Sequence, residues 1–304
     1  MAARATRSAS RKSRLTEAVA TGPLGALSHD ELGVIFDGLA EPLQPVVAVA
    51  LSSTCLGLRT PLQEGLEVLQ QRHAKVKALC RKFRLNCTEL CDQKQLIITG
   101  AVTAADMATL SVILQRPSGL PRLQSLLVMS GGIFGDAGMK SLCEGLVHGG
   151  TPGLKNLNLN HNNIGTEGAE AFAATLGRGS LPQLGVLRLG HNPIGDAGVA
   201  ALATPLRKLP RLHALSLWQC GISDHGLGSL LAHSGKNDFK TLDELELHCG
   251  NRFSDAGCAS LVSALERGSM PRLGRLVLPP DAGGVEARAA VAAALGRPLD
   301  AMWD

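Results

Sequence analysis

An α/β solenoid, with parallel strands on a concave face and helices on a convex one, is the fold class this sequence predicts, and three observations predict it. A triplet LxxLxL recurs six times in register, at Leu123-Leu126-Val128, Leu154-Leu157-Leu159, Leu184-Leu187-Leu189, Leu212-Leu215-Leu217, Leu242-Leu245-Leu247 and Leu273-Leu276-Leu278. Its middle leucines are 31, 30, 28, 30 and 31 residues apart. After a triplet come a polar residue, an apolar one and an acidic-glycine step, as in Asn192-Pro193-Ile194-Gly195-Asp196-Ala197-Gly198, and apolar residues then return at helical spacing, as at Leu202 and Leu206. One such unit cannot bury its own apolar face, but a stack of units can.

Residues 1–26 carry five Lys/Arg against Glu17 and too little apolar material to order themselves, so they are expected to be a disordered basic tail. A transit peptide rich in Arg, Ser and Ala and a nuclear-import patch at Arg11-Lys12-Ser13-Arg14 are the alternatives left open.

Residues 27–61 form a helical segment. Ser28 and Glu31 have capping-box spacing, and Leu32, Ile35, Phe36 and Leu39 follow on one face. Pro42 and Pro45 end that helix, and Val46 to Leu51 begins another. Over residues 62–94, Leu62, Leu66, Leu69, Val76, Leu79 and Phe83 mark an amphipathic linker helix. Arg72, Lys75, Lys77, Arg81, Lys82 and Arg84 lie on its solvated side.

The array fills residues 95–304 with seven units, because Leu96-Ile97-Ile98 followed by Val102 is a degenerate first copy. Asn162, Asn192 and Cys220 are expected to turn inward and satisfy backbone groups where strand gives way to helix, with Asn251 taking that role in place of Gly250. Asp136, Asp196, Asp224 and Asp255 stand where helices begin, as N-terminal caps. Gly138, Gly168, Gly198, Gly226 and Gly257 are expected to let each helix approach the strands. The alanine-rich run from Val285 to Leu295 is a C-terminal cap, and Trp303 is expected to cover its end.

These motifs resemble leucine-rich repeats of the ribonuclease-inhibitor type, also seen in the Ran GTPase-activating protein. The stretch Leu27 to Arg59, with its Asp-Glu-Leu, its Ile-Phe pair and its Leu51-Ser52-Ser53-Thr54-Cys55 step, resembles a divergent F-box. That resemblance implies a cullin adaptor as partner of residues 27–61, through Leu27, Leu32, Ile35, Phe36 and Leu51.

Composition excludes several other functions. Aromatic residues make up 3% of the chain, with no tyrosine, too few rings for a nucleic-acid stacking surface. Residues 95–304 hold seventeen Lys/Arg against seventeen Asp/Glu, so the array itself is neutral. No apolar run reaches the roughly 20 residues that span a bilayer. Eight cysteines without a CxxC pair predict reduced thiols, no disulfide and a cytoplasmic or nuclear location, with organellar targeting by the tail left open.

Catalytic motifs are missing: no GxSxG, HExxH or paired CxxC occurs, and Met139 breaks the phosphate-loop likeness of Gly138-Met139-Lys140-Ser141. No cofactor is expected. His161 and His191 are neighbours across the ladder but supply only two metal ligands, so no metal is expected either.

What remains is a protein-binding surface made of side chains beside and beyond the strand leucines: Asn156, Asn158, Asn160, His161, Val186, Arg188, His191, Ser216, Trp218, Gln219, Glu244, Glu246 and His248. An exposed Trp218 among Arg188, His191 and His248 has hot-spot composition; the competing reading has it fill a groove between strands. Glu244 and Glu246 opposite Arg188 predict a face that changes sign along its length, suited to a protein partner.

The expectation is therefore a non-enzymatic interaction protein, monomeric outside its complex. Its resemblances imply a substrate-recognition subunit of a cullin-RING ubiquitin ligase. The alternatives are a structural scaffold of a cytoskeletal or axonemal assembly and, third, a small-GTPase regulator.

Overall fold

The computed structural model describes residues 42, 45–54, 63–116, 119–129, 131, 134–236 and 238–296. Leu27, Leu32, Ile35, Phe36 and Trp303 lie outside these residues. Leu51 falls within a helix, and its side chain is outside the description.

Two compact units divide the chain: one runs to Arg81 and takes in Leu85–Thr88, and the other holds Lys82–Arg84 and everything from Glu89. In the first, α1 (Val46–Thr54) starts where Pro45, with its fixed φ and no N–H to lose, accepts a hydrogen bond from the Val49 amide at 2.9 Å. Helix α2 (Gln63–Lys82) buries Leu69, Val76, Leu79 and Cys80 along one stripe and keeps Arg72, Lys75, Lys77 and Arg81 in solvent.

After α3 (Cys87–Leu90), strand and helix alternate: β1 (Gln95–Thr99), α4 (Ala104–Leu114), β2 (Ser125–Met129), α5 (Gly135–Val147), β3 (Asn156–Asn158), α6 (Thr166–Gly177), β4 (Val186–Arg188), α7 (Gly195–Arg207), β5 (Ala214–Ser216), α8 (Asp224–Leu231), β6 (Glu244–Glu246), α9 (Asp255–Glu266), β7 (Arg275–Val277) and α10 (Val285–Leu295). The seven strands pair in sequence order, all parallel, with Leu96, Leu126, Leu157, Leu187, Leu215, Leu245 and Leu276 in one row. This is a leucine-rich-repeat solenoid. Each of those leucines is at most 2% exposed, and burying one contributes about 2 kcal/mol.

Where each strand ends, a buried polar ladder holds the bend. Asn192 Oδ1 accepts from the amides of Asn162 and Ile164, both at 3.0 Å, while its Nδ2 donates to the Leu159 and Leu189 carbonyls, both at 2.8 Å. Asn251 does the same for Cys220 and Ile222 and for Leu217 and Leu247, so it does stand in the asparagine position. Cys220 continues the ladder with sulfur: its Sγ donates to the Leu189 carbonyl at 3.3 Å and, more weakly, to that of Trp218, and it is hydrogen-bonded to the Asn192 backbone as well.

The helix-start aspartates act differently from the expectation. Each carboxylate accepts from the next unit's helix start, not its own. Asp136 takes the amides of Gly165 (2.6 Å) and Gly168 (3.0 Å), and Asp196 takes the amide (2.8 Å) and hydroxyl (2.6 Å) of Ser223. Asp224 takes the same groups of Ser254, and Asp255 the Gly284 amide. The glycine expectation changes with it: a Cβ on Gly168, Gly226 or Gly257 would strike the preceding unit's aspartate, not a strand. On Gly138 and Gly198 it would press on Phe134 and Ile194 of the same unit.

A rule follows across six junctions. After a helix with Asp136, Asp196, Asp224 or Asp255 at its first or second residue, the next N-cap residue is extended, as at Gly165, Ser223, Ser254 and Gly284. After Ala104 or Thr166 at that position, the next helix instead starts at a glycine with positive φ, Gly135 (61°) or Gly195 (67°). Thr166 offers a hydroxyl that donates to the Ile194 carbonyl at 3.0 Å, so it leaves the following amides without an acceptor. Those of Gly135 and Gly195 turn to the carbonyls of Asn162 and Cys220 at the far side.

Candidate protein-binding face

The strands are short because each unit leaves the sheet within a few residues, yet the parallel ladder continues past them. The amides of Leu159, His161, Leu189, His191, Leu217 and Gln219 still donate to the neighbouring unit. His161, His191, Gln219 and Cys249 then turn the corner with φ of 60°, 55°, 51° and 47°. This left-handed backbone is costly for residues with a Cβ and projects their side chains from one edge of the concave face.

At that edge the rings gather. His161 and His191 have centroids 4.3 Å apart, consistent with neighbours on a ladder; Trp218 meets them edge-on at 5.2 and 5.7 Å, and His248 stacks on its far side at 5.9 Å with planes 10° apart. Trp218 is half-buried, not exposed as expected, because its indole lies over Gly190, where no side chain competes for the space. The reading in which it fills a gap between strands is therefore part of the answer, and part of the ring stays accessible. Burial, then the neighbouring His191, lowers the His161 pKa below its ordinary value. An open depression of about 570 Å³ beside the cluster is lined by His161, Asn163, His191, Pro193 and Gln219.

Below the rings, register places Asn158, Arg188, Ser216 and Glu246 in one row and Asn156, Val186, Ala214 and Glu244 in the other. Two expectations change here. Ser216 is 3% exposed rather than open, with Arg188 and Glu246 flanking it in the row. Glu244 and Glu246 make a weaker acidic end than expected, because Arg275, in the next strand and overlooked in the sequence, pairs with both and offsets one of the two charges. The hydrogen bond to Glu244 raises the Arg275 pKa further. Arg188 forms no ion pair among the described residues, which leaves its charge available to a carboxylate.

Asn156 Oδ1, Ser216 Oγ and His248 Nδ1 are buried without a hydrogen-bond partner among the described residues. Such atoms cost stability unless something supplies the missing bond. All three belong to the expected site. Arg275 and the glycine under Trp218 are the additions; a charged residue at the first position of a repeat strand was the available signal for the former.

Among the described residues no group of three or more His, Cys, Asp or Glu is arranged to hold a metal, and no helix is long and apolar enough to cross a membrane.

A family model described as a leucine-rich repeat matches residues 154–173 and 184–203, each span running from the first leucine of a triplet into the following helix. No curated protein sequence is significantly similar to the chain. Among solved structures, the chain is similar to the tropomodulin C-terminal domain of Caenorhabditis elegans, with 16% identity over 63% of this chain and 92% of that one, at a TM-score of 0.37. Repeats of this kind are protein-binding scaffolds.

Proposed function

We propose that the chain is a non-catalytic binding protein whose concave face takes a protein segment at the Trp218 cluster. The observation that carries this reading is the coincidence, on one face, of a half-buried indole and an Arg188 that forms no ion pair among the described residues. An apolar side chain of the partner would cover the indole and a carboxylate would meet Arg188.

Site-specific photocrosslinking tests it. With p-benzoylphenylalanine in place of Gln219, cells should yield a partner adduct that Arg188→Glu abolishes; the same probe in place of Glu170, exposed on α6, should not yield that adduct. Adducts from Glu170 alone would overturn the reading.

The ligase assignment rests on the F-box-like residues 27–59 and the ribonuclease-inhibitor-type repeat pattern. Its direct test is binding of the full-length protein to the cullin adaptor, with Phe36→Ala expected to weaken it; no binding by the parent chain removes the assignment and leaves the concave-face reading standing.

A further inference from the structure

We propose that the opposite rim of the sheet, where the strands begin, is a second binding surface that takes an acidic segment of a protein partner. This goes beyond the concave-face site and does not depend on it. An open groove of about 420 Å³ on that rim is lined by Lys155, Gln183, Arg211, His213, Thr241 and Arg272, and no carboxylate lines it. Lys155, Arg211 and Arg272 are exposed and form no ion pair among the described residues. The nearest carboxylate in the same row, Asp243, leans over Gly274 instead, its Oδ1 2.7 Å from where a Cβ would stand.

The groove exists because residue 185 is glycine. A Cβ there would lie 2.6 Å from His213 Cε1, so the imidazole rests on bare backbone and lines the groove. Lys155, Arg211 and Arg272 belong to the third, fifth and seventh units, and two strand spacings are about 10 Å. A polyproline-II segment has three residues per turn and rises about 3.1 Å per residue, so a carboxylate at every third residue would stay on one face and meet each cation in turn. A lone phosphate would need donors that converge, whereas these are spread out. A nucleic-acid strand would want rings for its bases, and the groove holds a single imidazole.

The experiment measures binding of a fluorescein-labelled poly-glutamate peptide to the full chain by anisotropy, at low and high salt. The basic residues of the first 26 also attract polyanions, so the reading is the difference between parent and variant. R211E combined with R272E should weaken binding about fivefold to thirtyfold at low salt, with a smaller difference at high salt. Lys155→Glu should weaken it in the same direction, while Trp218→Ala should leave it unchanged. Unchanged affinity in the double variant, with an unaltered unfolding midpoint, would overturn the proposal. So would a single-stranded RNA of equal charge that binds more tightly than the peptide and is lost in the same variant, which would make the rim a nucleic-acid surface.

Discussion

The indole of Trp218 occupies the space that a side chain at residue 190 would need. Gly190 has no positive φ, so alanine suits its backbone and only the ring stands in the way. Gly190→Ala should therefore destabilise the protein by about 1–3 kcal/mol, as overpacking does, and should expose the indole. In a Trp218→Ala background the same change should cost less than about 0.5 kcal/mol. Urea unfolding of the four proteins, with tryptophan emission read alongside, checks it; equal costs in both backgrounds would remove the indole as the cause.

Removal of one inter-unit carboxylate should be felt in the whole transition. Asp196→Ala leaves the Ser223 amide without an acceptor and should cost about 1–2 kcal/mol. Burial alone would raise the Asp196 pKa, but the hydrogen bonds from the Ser223 hydroxyl and amide outweigh it and hold the carboxyl below its usual range. A depressed folded pKa stabilises above the unfolded value, near about 4, and that contribution is lost as pH falls through the folded value. The midpoint difference between parent and variant should thus be full at neutral pH and shrink in acid.

The junction rule predicts a rescue. Gly195→Ser alone forces a Cβ into φ 67° and should cost about 1–2 kcal/mol, although nothing lies within 4 Å of the new atom. Combined with Thr166→Asp, which supplies the carboxylate that Ser223 and Ser254 use elsewhere, most of the cost should return. A double variant no more stable than Gly195→Ser would break the rule.

Thiol reactivity separates the ladder cysteine from the corner one. Burial pushes the Cys220 thiol up to about 12, while Cys249 is exposed at a left-handed corner. Iodoacetamide at mildly alkaline pH should label Cys249 and spare Cys220 until the chain unfolds, as mass spectrometry of the peptides would show.

Much of this architecture was legible from period alone. The leucine row, the seven strands and the inward asparagines follow from spacing, because a buried position repeats whatever its neighbours do. Asn251 was legible for the same reason. Partnership between units was not: the sequence places Asp196 at the start of its own helix, and only the stack shows that its oxygens face Ser223, 27 residues on. The candidate face was legible as a set of residues but not as a charge pattern, since Arg275, in register with Glu244 on the neighbouring strand, pairs with both Glu244 and Glu246 and offsets half of their charge. Trp218's half-burial depended on Gly190, whose meaning lies in what is missing from it.

The aspartate junctions also restrict how this array can be rearranged. A unit's helix start is matched to the residue its predecessor offers, so the units come in two mating types and are not interchangeable beads. Excising the unit of α6 would bring Asp136 against Gly195, a carboxylate facing a start built without one, whereas excising that of α8 would bring Asp196 against Ser254, a match. Recombination between repeats, the process by which such arrays grow and shrink, would be tolerated at some seams of this chain and penalised at others, and the boundary between them is written at a single position per unit.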